Sequence, residues 1–144
     1  MRFFDASALV KRYVRERDSA RVRRLLGAGE VGLCRLSEVE VVSALARLAR
    51  EGATSVSRRD AAVTAFVGDL AAWTIVELHP DVTRAARRLV MQHGLRTGGG
   101  LQLAAALVLQ EAVGPIEEFV AYDSRLLEAA RAEQLVARSR SRRS

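Results

Sequence analysis

Two short apolar segments each run straight into an aspartate and then into a helical pattern, and no other feature restricts the fold of this chain as much. The first is Met1 to Tyr13, MRFFDASALVKRY. Phe3 and Phe4 are aromatic strand formers there, and Asp5 precedes Ala8, Leu9 and a basic pair. The second is residues 118–122, EFVAY, followed by Asp123 and SRLLEAARAEQL. An aspartate at a strand-to-helix turn is suited to cap the helix, because its carboxylate accepts from free N–H groups of the first turn. In an open parallel sheet the same turn lies at the carboxyl edge of the strands, where ligands bind. Capping accounts for either aspartate alone. Their shared placement adds a second possibility, chemistry at that edge.

The rest of the chain continues the alternation. Val22, Leu25 and Leu26 form a helical stripe behind Asp18 or Ser19 as cap, ended by Gly27 and Gly29. Val31, Leu33 and Cys34 read as a strand. LSEVEVVSALARLAREG reads as a long helix closed by Gly52, with Val41, Val42, Ala44, Leu45 and Leu48 on a broad apolar arc. Glu40, Ser43, Arg47 and Arg50 share the opposite stripe. Ser57 is the expected cap of a helix over residues 58–72, and WTIVEL, residues 73–78, is the next strand. Pro80 opens a helix that stops near Gly94. LRTGGG reads as a flexible connection into LQLAAALVLQEAV, a buried helix, and residues 135–136 suggest a last short strand. This order predicts βαβ units, a parallel sheet covered on both faces and a single domain.

Composition excludes several classes. The 144 residues are long enough for a sizeable core, and 49% of them are apolar. No apolar run is long enough to span a bilayer. Asp5 and Lys11–Arg12 break the only early apolar stretch, so no signal-peptide layout is read and a cytoplasmic location is expected. The single cysteine, Cys34, leaves no partner for an intramolecular disulfide or a cysteine zinc site, and is expected in the core. Of the net +6 charge, four charges sit on Arg138, Arg140, Arg142 and Arg143 in the last seven residues. That tail, residues 137–144, is expected to be disordered beyond a folded unit of residues 1–136. A solvated end explains it, and a salt-sensitive RNA-binding arm is the functional reading.

A third acid joins the two aspartates. Ser37 to Glu40 reads S-E-V-E, the capping-box pattern S-x-x-E, which explains Glu40 without a metal. Yet Asp5, Glu40 and Asp123 all stand at or near helix starts, and in a parallel sheet those starts face one edge. Three carboxylates brought together repel one another unless a cation lies between them. A hard divalent ion such as Mg²⁺ or Mn²⁺ suits oxygen ligands of this kind. His79 and His93 fall at helix boundaries, where surface positions are expected.

On these residues the chain resembles the PIN-domain ribonucleases, and among them the VapC-type toxins of bacterial toxin–antitoxin pairs. FFDASALVKRY is similar to the family's opening strand and first acid. SEVEVVSALARL is similar to its second motif, with Glu40 in the acidic position, and FVAYDSRLLEAARAEQL to its last, with Asp123 as its acid. The resemblance covers nearly all of residues 1–136. It implies a three-layer α/β/α sandwich with a parallel central sheet and a metal-dependent site that cuts RNA. It also implies a homodimer and a complex with a small antitoxin. Asp5 and Asp123 would hold Mg²⁺ (or Mn²⁺), Glu40 would bind it or orient its water, and Ser7 would brace Asp5.

The chain departs from the family at the third motif. An aspartate normally opens the buried helix, and Gly99 stands in its place within Thr97-Gly98-Gly99-Gly100-Leu101-Gln102. The next acid downstream, Glu111, lies about three helical turns away. The expectation is therefore a nuclease fold with an impaired site. The alternatives are a non-catalytic PIN-like module that binds RNA or a partner protein, and, more remotely, phosphate binding by the TGGG turn, which lacks the lysine of a P-loop.

Overall fold

The computed structural model describes residues 1–138. Within them, strands and helices alternate as β1 (Arg2–Phe4), α1 (Ala6–Tyr13), α2 (Ser19–Leu26), β2 (Val31–Cys34), α3 (Leu36–Arg50), α4 (Val56–Asp69), β3 (Thr74–Val76), α5 (Pro80–His93), α6 (Thr97–Val113), β4 (Glu118–Val120) and α7 (Ser124–Ala132). The four strands form one parallel sheet in the order β3-β2-β1-β4. The chain winds outward from β1 through β2 to β3 and then returns to the other side of β1. The order therefore reverses between β1 and β4, and the crevice at that switch point is where open α/β sheets bind ligands.

Successive strand residues feed opposite faces, as the two-residue period requires. Phe3, Cys34 and Phe119 join residues of α5, α6 and α7 in one core, and the Phe3 and Phe119 rings stack at 5.7 Å. Phe4, Leu33 and Val120 join residues of α1, α2, α3 and α4 in the other. The result is the expected three-layer sandwich. Cys34 is buried in it.

Several local expectations change. The capping box at Ser37–Glu40 does not form: α3 begins at Leu36 with Arg35 as its N-cap, so Ser37 already lies inside the helix. Its hydroxyl accepts from Gln102 Nε2 at 2.8 Å instead. Ser55, not Ser57, caps α4, accepting from Arg58 N, and a 3₁₀ turn at Leu70–Ala72 follows the helix. The Thr97-Gly98-Gly99-Gly100 run is not a flexible connection but the first turn of α6. Close packing favours glycine there: a Cβ on Gly100 would sit 2.5 Å from Val90 Cγ1 of α5. His93 is not a surface residue, since its side chain is only 13% exposed and lies 3.8 Å from Glu133. Residues 135–136 form no strand, although Val136 O accepts from Phe119 N at 2.7 Å. Ala137 is buried and its carbonyl accepts from Arg131.

Candidate active site

Asp5 is the last residue before α1 and is buried at the end of β1. Its extended backbone lets Oδ1 turn onto the helix, where it accepts from Ala8 N at 3.2 Å. The same oxygen accepts from Ser7 Oγ at 2.6 Å. Ser7 Oγ in turn accepts from Tyr122 N at 2.9 Å, and Asp5 N donates to Val120 O at 3.1 Å. Asp5 is thus a cap and is also tied to the end of β4. Both of its hydrogen bonds fall on Oδ1, which leaves Oδ2 for a ligand.

Asp123 repeats the pattern after β4. It is the exposed N-cap of α7, and its Oδ1 accepts from Leu126 N at 3.1 Å. Glu40 enters from the second turn of α3, half-buried, with Oε1 at 3.4 Å from Gln102 Nε2. Burial pushes the Asp5 carboxyl up to about 7, against the lowering effect of the Ser7 and Ala8 hydrogen bonds. The neighbouring charges of Glu40 and Asp123 raise it further. Burial also raises Glu40, and the Gln102 amide opposes that shift. Asp5 is thus close enough to feel both other acids, and it holds its charge at an energetic cost that a cation would relieve.

The donor set suits a hard divalent ion, being oxygen throughout. Among the described residues, however, no three His, Cys, Asp or Glu side chains close into a ready-made metal cage. The open side is where α6 begins. A Cβ on Gly98 would face Glu40 Oε1 at 3.3 Å, whereas one on Gly99 would meet only Leu126 Cδ1, at an ordinary 3.7 Å. Gly99 therefore has room for a side chain on the flank of the site beside the first turn of α7, and Gly98 has the tighter position under Glu40.

A cleft of about 550 Å³ is lined by Glu40, though by neither aspartate, together with Ser7, Lys11, Ser43, Arg47 and Tyr122 among others. The polar stripe of α3 forms one wall of it. Lys11 Nζ lies 4.7 Å from the centre of the Tyr122 ring and bonds Glu16 and the Arg17 carbonyl. A larger groove of about 900 Å³, between the end of α1, α3 and α4, holds none of the three acids. The tail arginines divide: Arg138 is exposed, and Arg140, Arg142 and Arg143 lie outside the described residues.

Sequence reading missed Gln102, Lys11 and Tyr122. Gln102 had a signal, being a lone amide inside the apolar run LQLAAALVL. Lys11 and Tyr122 had none, because their meeting depends on the β1–β4 pairing.

No helix among the described residues is long and apolar enough to cross a membrane. The fold is shared with known structures. It superposes on a chain of a toxin–antitoxin complex from Klebsiella pneumoniae with a TM-score of 0.62, at 14% identity, covering 86% of this chain and 88% of that one. It superposes on Mycobacterium tuberculosis VapC20, described as a sarcin–ricin-loop-cleaving toxin, with a TM-score of 0.65 at 15% identity, covering 94% and 97%. Among curated proteins, none matches the sequence. The family model for the PIN domain matches residues 2–132, nearly the whole described chain, and the protein belongs to the PIN domain family.

Proposed function

We propose that this chain is a metal-dependent endoribonuclease of the toxin type, with Asp5, Glu40 and Asp123 as its acids and its activity lowered by Gly99. The observation that carries the reading is that Asp5 and Asp123 stand at the ends of the neighbouring strands β1 and β4, with Glu40 and Asp123 both near enough to raise the cost of charging Asp5. Capping alone requires no such convergence. Mg²⁺ or Mn²⁺ held there would polarise the phosphate and supply an activated water. The protein's own share is positional. The α1 N-terminus and Ser7 fix Oδ1 of Asp5, and the α7 N-terminus fixes Oδ1 of Asp123. Arg47, largely exposed on α3, places positive charge along the adjoining cleft, which suits a polyanionic strand. The toxin–antitoxin complex among its structural neighbours supports an antitoxin as partner, and the family resemblance supports a homodimer in the cytoplasm as its setting.

The missing acid sets the test. RNA cleavage is measured for the chain and for Gly99→Asp, with Mg²⁺ or Mn²⁺ and with EDTA. The aspartate is expected to raise EDTA-sensitive cutting by roughly a hundredfold, the scale at which a misplaced reacting group costs rate. Gly98→Asp serves as the control: its Cβ crowds Glu40, so it should recover less activity and lower the melting temperature more. Strong cleavage by the unmodified chain that Asp5→Ala abolishes would show that three acids suffice.

The glycines at 98 and 99 also favour a second reading, a PIN module that binds RNA or a partner protein without cutting. RNA binding that is unchanged by Gly99→Asp, with no cleavage by either chain, would support it. In either case the arginine tail is proposed as an RNA-binding arm. Replacing Arg138, Arg140, Arg142 and Arg143 by alanine should lessen the dependence of RNA affinity on salt. An unchanged salt slope would assign the tail no such role.

A further inference from the structure

Gln102 stands in the middle of the α6 core face, 1% exposed, between residues that are otherwise apolar. Its Nε2 donates to Ser37 Oγ at 2.8 Å and lies 3.4 Å from Glu40 Oε1. Its Oε1 is buried with no hydrogen-bond partner among the described residues. A buried, half-satisfied amide costs stability, and a methionine of similar length would fill the same space without that cost. Packing therefore does not account for the amide. Ser37, fully buried one turn before Glu40, is the acceptor that sets the orientation of the amide plane.

We propose that Gln102, oriented by Ser37, is a positioning residue that holds the Glu40 carboxylate toward Asp5. The inference rests on the reading of Glu40 as a metal-site acid. The amide grips one carboxylate oxygen from the core side. This restricts the freely turning end of Glu40 and leaves Oε2 facing away from the grip. Groups that orient metal-binding side chains typically set affinity through geometry. Ser37 and Gln102 come from different helices, α3 and α6, so the device also fixes α6 against α3 at the point where Gly98 passes under Glu40.

The test uses the full chain and Gly99→Asp, with Mn²⁺ as the probe and two readouts. Titration of Mn²⁺ followed by its electron paramagnetic resonance signal is expected to show roughly 10- to 100-fold weaker binding in Gln102→Met. Ser37→Ala should weaken binding less, and the melting temperature of Gln102→Met should be unchanged or higher. Unchanged Mn²⁺ affinity together with a lower melting temperature would overturn the proposal and leave Gln102 a packing residue. The second readout needs no change at Gln102. The side-chain amide resonances of Gln102 in ¹⁵N spectra are expected to move in Glu40→Gln, and if they stay in place the contact is refuted. If neither the chain nor Gly99→Asp binds Mn²⁺, the metal reading fails, and the amide resonances alone decide whether Gln102 holds Glu40.

Discussion

At the residue scale, Asp5 carries the most physics in the fewest atoms. It caps α1, ties β1 to β4 through Ser7, and sits buried beside two other acids. Its proton affinity is raised from 3.8 to about 7, chiefly by burial. The folded state therefore binds a proton that the unfolded state has released between those two values. Stability is then greatest below pH 3.8 as far as this group is concerned, falls as pH rises to about 7, and is flat above. At about 1.4 kcal/mol per pH unit the loss is on the order of 4 kcal/mol. Asp5→Asn keeps an acceptor for Ser7 and Ala8 and removes the charge. Thermal melts in EDTA should show the decline with pH in the parent and little of it in the variant. Equal slopes in the two would mean that Asp5 is more solvated than its burial indicates.

At the element scale, α6 is the instructive helix. Glycine is a poor helix former, by about 1 kcal/mol per residue against alanine. Three in a row read locally as a break, yet here they form the first turn. Tertiary packing overrides the propensity, because α5 lies against α6 closely enough that a Cβ on Gly100 meets the stiff, branched Val90 at 2.5 Å. Gly100→Ala should then lower stability by roughly 1–3 kcal/mol despite the better propensity, as overpacked sites do. Denaturant midpoints would show it, and a stabilised variant would mean that Val90 moves aside at little cost. The capping box fails for a related reason. The spacing of Ser37 and Glu40 was legible, but the helix starts one residue before Ser37, a boundary that the turn out of β2 decides.

At the scale of the whole molecule, the site is held in place by a link between segments far apart in sequence. Arg21 of α2 donates to Glu118 of β4 at 2.7 Å and to the Tyr122 hydroxyl at 3.0 Å, with both charged side chains largely buried. This network fixes the end of β4, and so the approach of Asp123. Removing one partner leaves a buried charge unpaired. Arg21→Met should cost about 3–5 kcal/mol, and adding Glu118→Gln should restore part of it. A double-mutant cycle of unfolding free energies measures the coupling, and additive costs would refute it.

The alternation of strands and helices, the two aspartates at strand ends and the glycine at position 99 were all legible in the sequence. Each of these is written in a local period or in the identity of one residue. Packing between distant segments set the start of α6 at its glycines, covered His93, and turned Ser37 to Gln102 rather than to its own helix. It also decided that Lys11 and Tyr122 border the cleft. These outcomes depend on which surfaces meet across the β1–β4 pairing and the α5–α6 contact. Packing free energy of that kind is shared among residues far apart in the chain, and no short stretch of sequence contains it.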